Sequence, residues 1–311
     1  MGWAAAAPPA ALAVARLTQL EGRSVVIAAE AITPLWFLPA YAALGLGLFS
    51  RQRALSIVAG ALIGLHLAWV LPDLRPARPL PAAARSAPHI RIFSANLNYT
   101  NTRMTSMADE IRRARPDIVL LQELSPANLD ALRATGVLDE FEFNLTVPRL
   151  MPTGTGVFSR LPLSDAEEWD VEGMINARAT VTVGEHKIRM YDIHTNAPFG
   201  APGAPRWTKQ LVKIRRAAIA EKGPLVVAGD FNASYGHRPF RALLAAGLRD
   251  AHTERGRGWV TTWPRDLHVI PAFVRLDHVL VSHHIAVVGI AEGIGKGSDH
   301  RPVIADLAVT G

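Results

Sequence analysis

Two apolar stretches near the start set the first constraint on the fold. Val25 to Phe49 runs about 25 residues and Ala54 to Leu71 about 18, each long enough to cross the hydrocarbon core of a bilayer. Ser50-Arg51-Gln52-Arg53 between them is a short basic link, as in a tight cytoplasmic turn. Leu35 to Phe49 has no charged face, which a surface helix of a soluble protein would show. Glu30, Pro34 and Pro39 interrupt the first stretch. Membrane helices tolerate such prolines when neighbours satisfy the freed carbonyls, and Glu30 can snorkel or face another helix. Residues 1–72 are therefore predicted to anchor the chain as a transmembrane helical hairpin, the alternative being a buried hairpin of a soluble protein. With Arg51 and Arg53 inside, both hairpin ends lie outside, so the downstream domain is expected to be extracytoplasmic, although Arg75, Arg78 and Arg85 blur that vote. The first twenty residues lack a basic start before a clean apolar run, which argues against a cleaved secretory signal. They could belong to a further span.

Residues 73–88 are rich in Pro, Ala and Arg and show no periodicity, so they read as a linker. Fully extended, it would hold a domain a few tens of ångströms off the bilayer. The remaining 89–311 suffice for an independent core, and the mean hydropathy of +0.15 reflects the apolar front of the chain. The absence of cysteine excludes disulfides, thiolate catalysis and zinc–thiolate sites. A formal charge of +6 and a pI near 10.0 favour anionic partners such as nucleic acid, nucleotides or phospholipid headgroups. The arginines are dispersed, and general solubility explains them equally well.

Within 89–311 the pattern predicts strands over 89–98, 117–123, 154–160, 177–183, 187–194, 225–230, 275–281, 286–291 and 301–309. Helices are predicted over 105–115, from about Pro126, over 207–221 and over 238–246. Hairpins mixed with helix-separated strands argue for an α/β fold of two packed mixed sheets with helices on the outer faces. Polar residues gather where strands end, at a cleft shared by the sheets.

The candidate site residues come from those strand ends. Asn96 and Asn98 are two apart, so both can face one cleft; turn formation is the plain alternative. Glu123 closes an apolar strand, as a cap or as a ligand for a hard cation. His194 ends another strand, with Asn196 on the same side. Asp230 and Asn232 follow a buried strand, where the carboxylate could orient or deprotonate a water and the amide could steer it. Asp277 lies among Leu276, Val279 and Leu280 and needs a partner. His300 would supply one, held cationic to stabilise charge on phosphate oxygens, and Asp299 could bind metal directly or through water. Trp259 and Trp263 could wall the cleft or simply pack. His283-His284 reads as loop, and His237, His252 and His268 have no supporting pattern. Thr153 to Gly156 is too short to cradle a phosphate.

In their order, Asn96, Gln122-Glu123, His194, Gly229-Asp230-Phe231-Asn232, Leu276-Asp277-His278 and Ser298-Asp299-His300 resemble the exonuclease–endonuclease–phosphatase superfamily. The likeness covers about 89–309. The apolar hairpin, with Thr262-Trp263-Pro264 ahead of Leu276, is similar to its membrane-anchored bacterial branch. The resemblance implies a four-layer α-β-β-α sandwich and a metal-dependent phosphoesterase, nuclease-like or directed at nucleotides or phospholipids. It implies Mg2+ or Mn2+ on Glu123, helped by Asn98 or Asp299, water activation by Asp230 with Asn232, and phosphate contacts from His194 and the Asp277–His300 pair. Asn96, Asn196 and Trp263 are the expected substrate-binding residues. Ser94-Ala95 stand where many members have a tryptophan before the asparagine, and Asn98 where nucleases often have aspartate. The rival expectation is an inactive, membrane-tethered protein that binds phosphate ligands on the same scaffold. No obligate protein partner is implied.

Overall fold

The computed structural model describes residues 1–18, 24–200, 203–265 and 271–311; His268 lies outside them. Five helices come first: α1 (Gly2–Leu17), α2 (Ser24–Ala31), α3 (Thr33–Trp36), α4 (Leu38–Phe49) and α5 (Arg53–Val70). The chain then runs through β1 (His89–Asn96), α6 (Met104–Ala114), β2 (Ile118–Gln122), α7 (Pro126–Ala134), β3 (Phe143–Val147) and β4 (Thr155–Ser159). Next come β5 (Leu163–Val171), β6 (Met174–Val183), β7 (His186–His194), α8 (Gly203–Ala220), β8 (Leu225–Asp230) and α9 (Arg238–Ala245). It ends with β9 (Arg249–Asp250), α10 (Ala251–Glu254), β10 (Asp277–Val281), β11 (Ile285–Glu292) and β12 (Val303–Val309).

The strands form two six-stranded sheets, ordered β11-β12-β1-β2-β4-β3 and β5-β6-β7-β8-β10-β9. Only β1–β2 and β7–β8 are parallel, so both sheets are mixed. Side-chain alternation builds the layers. Ile92 and Leu120 point between the sheets and meet Val181, Met190, Val226 and Val279. Their neighbours Phe93 and Val119 point outward onto Met107, Ile111 and Leu129 of α6 and α7. On the opposite side Tyr191 and Val227 pack against Trp207, Leu211, Phe240 and Leu243 of α8 and α9. Each such fully buried side chain contributes roughly 1.5–3 kcal/mol of transfer free energy. The result is the four-layer α-β-β-α sandwich.

Three strands were not legible in the sequence: β3, β5 and β9, the last only two residues long. β5 is an edge strand whose exposed Asp165, Glu167 and Glu168 hide its alternation, and its register shifts between Ser164 and Glu167; charges and irregularities of this kind keep a sheet edge from pairing with other chains. β3 is the partly exposed edge of the other sheet.

The N-terminal region departs from a simple hairpin. α1, α4 and α5 pack through small side chains, among them Ala6, Ala40, Ala43 and Ala59. Leu48, Phe49 and Ile57 point outward. Arg53–Val70 is long and apolar enough to cross a membrane. The stretch 25–49 is not one straight helix, because α2 lies at 86° to the α3–α4 run. Thr33 Oγ1 donates to Glu30 O at 2.7 Å, and Pro34 starts the next helix at a position where its missing N–H costs nothing. Glu30 faces α1, with its carboxylate 3.7 Å from Arg16 Nε.

α2 docks on the sandwich instead. Ile27 sits in the core cluster with Trp207, Phe231 and Phe240. Gly236 passes so close that a Cβ there would lie 1.8 Å from Glu30 O. The 73–88 segment does not stand off as a spacer either. Asp73 accepts from the buried Arg275 guanidinium at 2.8 and 3.0 Å, and Arg78 N donates to Glu254 O at 2.9 Å. A buried guanidinium needs carboxylate partners, and Asp73 meets that need from the linker.

Candidate active site

Strand register places the central groups. β7 and β8 bring His194 opposite Asp230, and β8 and β10 bring Asp230 opposite Asp277. Directly paired residues project from the same face of a sheet, so one imidazole and two carboxylates stand in a row. Two carboxylates side by side repel, and His300, from the loop before β12, relieves this. Its Nδ1 donates to Asp277 Oδ2 at 2.9 Å, and its Nε2 lies 3.6 Å from Asp230 Oδ2. Ser298 holds that loop, donating to Asn96 O at 2.8 Å and accepting from His300 N at 3.0 Å.

The other sheet supplies the rest. Asn96, at the end of β1, donates its amide to Glu123 Oε1 and to Asp230 Oδ2, both at 3.0 Å. One buried amide thus ties the rims of the two sheets together. Glu123 Oε2 accepts from Tyr99 N at 3.1 Å. His194 Nε2 lies 3.8 Å from Glu123 Oε1 and 3.7 Å from Asp230 Oδ2. Asp299 Oδ1 and Oδ2 accept from Asn98 Nδ2 and Trp263 Nε1, each at 3.2 Å. Asn98, Glu123 and Asn232 have φ of 55°, 54° and 46°. Three non-glycine residues in the left-handed region within one site mark stored backbone strain of the kind that gathers at functional sites.

Burial decides the outcome at Asp230, and the neighbouring charges decide it at His300. Burial raises the pKa of Asp230, the pull of His300 offsets this in part, and Asp277 adds to the rise. Burial lowers the pKa of His300, but Asp277 and Asp230 outweigh it and hold the imidazole up to about 10. The row is therefore two carboxylates clasping an imidazolium.

The sequence profile of the Endonuclease/Exonuclease/phosphatase family matches residues 93–300. The chain belongs to this family. Its members are hydrolases acting on phosphate esters, typically dependent on a divalent metal. Among solved structures, D. rerio TDP2 humanized by 14 mutations is similar at 20% identity and a TM-score of 0.60, over 71% of this chain and 99% of that one. D. rerio TDP2 complexed with single strand DNA product gives the same four values. The endonuclease/exonuclease/phosphatase from Bacteroides vulgatus follows at 20% identity and a TM-score of 0.58, over 71% and 99% of the two chains. At such identities the likeness is one of fold. No curated protein matches the sequence.

A cavity of about 660 Å³ opens over the family's strand ends, with Glu123, His194, Asp230, Asn232, Asp299 and His300 on its floor. Asn232 donates its backbone N–H to Asp230 Oδ1 at 2.8 Å and its amide to Thr195 O at 2.9 Å. Three expected residues sit differently. Asn98 does not line the cavity, and its amide oxygen accepts from Thr100 N and Oγ1 at 3.1 and 2.7 Å. It orients Asp299 rather than offering an oxygen to a metal. Asn96 lies beneath the floor, its amide spent on two carboxylates and its oxygen on Asn98 N at 2.9 Å, so it positions groups rather than touching substrate. Asn196 lines the cavity, but its oxygen accepts from Gln210 Nε2 at 2.7 Å.

Several supporting residues escaped the sequence reading. Asp192, fully buried between the sheets, accepts from Gln122 Nε2 and Thr155 Oγ1 at 2.5 Å each, and burial pushes its pKa up to about 7. Its signal was present: a carboxylate in an apolar strand, two residues before His194, needs partners just as Asp277 does. Asn176 accepts from His194 N at 2.7 Å, and Thr262 Oγ1 from Asp277 N at 3.2 Å. His237 is buried, its Nδ1 accepting from Ser234 N at 2.8 Å and its Nε2 donating to Ile27 O at 2.9 Å. Burial pushes its pKa down to about 4, which suits a neutral ring with one donor and one acceptor. It fastens α2 to the domain. His278 is structural too, bonded to Asp250 at 2.6 Å and Ala233 O at 2.9 Å.

Proposed function

We propose that this chain is a membrane-anchored, divalent-metal-dependent phosphoesterase that hydrolyses a phosphodiester by in-line attack of water. The observation that carries the reading is the convergence of Glu123 and Asp230 on one Asn96 amide, with His300 clamped by Asp277 beside them. The anchor is residues 1–72, with Arg53–Val70 as the clearest span; the arginines at 51 and 53 favour a catalytic domain outside the cytoplasm.

The donor set suits a hard cation. Glu123 and Asp299 face the cavity, and their hydrogen bonds come from neutral amide and indole N–H groups, which leaves their charge free for Mg2+ or Mn2+. Asp230, Asp277 and His300 also offer ligand atoms within 4.8 Å of one another. The His300–Asp277 hydrogen bond already uses that arrangement. Glu123 with Asp299 is therefore the better holder. A bound divalent ion would neutralise phosphate charge and polarise phosphorus.

The chain's own groups do the rest. Asp230, raised in pKa and held by Asn232, takes the proton of the attacking water. The water oxygen bonds to phosphorus as the bond to the leaving alcohol breaks, and that alcohol ends with the proton. The His300 imidazolium and His194 face the phosphoryl oxygens, where charge grows. The test is hydrolysis of bis(p-nitrophenyl) phosphate by the full-length protein in detergent micelles. Turnover should vanish with chelator and return with Mg2+ or Mn2+, and Asp230→Asn should lower kcat about 10³-fold. Ester binding without turnover at any metal concentration would instead favour the inactive binding protein.

A further inference from the structure

The walls of the cavity differ from its floor. One wall is α2 and the residue after it, with Ala28, Ala31 and Ile32 half-buried and facing the space. The others include Phe199, Trp263 and Phe273. No Lys or Arg lines the cavity among the described residues, although the chain carries 33 of them. A site that grips a polynucleotide flanks the reacting phosphate with cations that neutralise its neighbours; this cleft offers hydrocarbon there.

The rim points the same way. Phe199 is exposed, and Leu150 and Met151, at 82% and 63% exposure, precede the cavity-lining Pro152. Large exposed apolar groups at the mouth of a cleft mark contact with an apolar phase. α2 continues directly into the apolar α3–α4 run, so the wall is part of the anchoring segment itself. The 660 Å³ volume far exceeds what a phosphate group needs.

We infer that the substrate is a lipid phosphoester presented by the bilayer, its phosphate on the polar floor and the start of its hydrocarbon chain against Ala28, Ala31 and Ile32. This rests on the phosphoesterase reading and adds to it a specificity element lying outside the 93–300 family match. The anchor then does more than hold the enzyme near its substrate, because it completes the binding site.

The experiment uses full-length protein in mixed micelles with p-nitrophenyl phosphodiesters whose second substituent is methyl, octyl or hexadecyl, so that the leaving group stays constant. A single-stranded oligonucleotide is the competing substrate. From methyl to hexadecyl, kcat/KM should rise at least about tenfold, since every methylene that the wall covers adds to binding. Ala31→Gln and Ile32→Gln should each cut that hexadecyl-to-methyl ratio about tenfold, while Ile32→Val keeps it. Micellar partitioning acts on every variant alike, so the change in ratio reports the wall, and a variant with less folded protein loses both rates together. A flat chain-length profile, a ratio untouched by both Gln variants, or an oligonucleotide preferred over the hexadecyl ester overturns the inference while leaving hydrolysis intact. No turnover of any ester with Mg2+ or Mn2+ defeats the phosphoesterase reading and this one with it.

Discussion

The floor of the cleft is placed by strand register, whereas its α2 wall is placed by docking. His194, Asp230 and Asp277 share a face because β7, β8 and β10 pair in one register, and a one-residue slip would turn a carboxylate to the opposite side. The wall needs no such angular control. Ile27 in the core, His237 on a helix carbonyl and Gly236 under Glu30 suffice to seat it. Chemistry on phosphorus demands fixed directions, which a sheet gives. An apolar surface demands only contact and shape, so a segment from outside the family domain can provide it.

The first test strikes the floor. His300→Gln should lower kcat by about 10²-fold near neutral pH through loss of the cationic donor. The wild-type rate should stay level through neutral pH and fall as the pH climbs past about 10, where His300 gives up its proton; the variant should lack that fall. The linkage has the same sign. Because the folded pKa is raised from 6.5 to about 10, the pairing adds stability that is complete below 6.5 and is lost as the pH rises through about 10. A pH–rate profile of both proteins is the measurement. An alkaline limb that persists in the variant removes His300 from its assigned role.

The contrast also explains what the sequence disclosed. Glu123 and Asp230 stood out because charged side chains end apolar strands, and His300 because Asp277 needs a partner; the order of these residues carried the family likeness. The wall was hidden because Val25 to Phe49 is mostly apolar, and hydropathy cannot tell a span from a helix that turns 86° and docks. The contacts that fix it are long-range: His237 to Ile27 and Gly236 to Glu30 join positions with no shared periodicity, as Arg275 to Asp73 does at the linker. Asp192 was missed for another reason. It lies between the sheets, bonded across to Gln122 and Thr155, rather than at a strand exit with the other site groups.

The second test strikes the junction. Arg275 is fully buried and pairs with Asp73 from the linker, while Asp250 stands 4.0 Å away. Asp73→Ala should cost about 2 kcal/mol of unfolding free energy, below the usual toll of breaking a buried pair because Asp250 still faces the guanidinium. Denaturant unfolding in micelles measures this, and kcat on the methyl diester should hardly move. Unchanged stability would mean that the linker is not fastened to the domain.

The smallest expected effect falls on Trp263, a residue that serves both surfaces. Trp263 packs its ring edge-on against Phe273, with centroids 6.0 Å apart, and both line the cavity. Its Nε1 also donates to Asp299 Oδ2 at 3.2 Å, steadying a carboxylate proposed to hold the metal. Trp263→Phe keeps most of the apolar wall and deletes the donor. Removing an outer hydrogen bond from a ligand typically weakens metal affinity ten- to a hundredfold, and Asn98 still holds the other oxygen of Asp299. The Mg2+ concentration for half-maximal rate should therefore rise about tenfold, while the hexadecyl-to-methyl ratio keeps its wild-type value. The reverse pattern, with metal response intact and chain-length preference lost, would place Trp263 with the wall alone and take Asp299 out of the metal site.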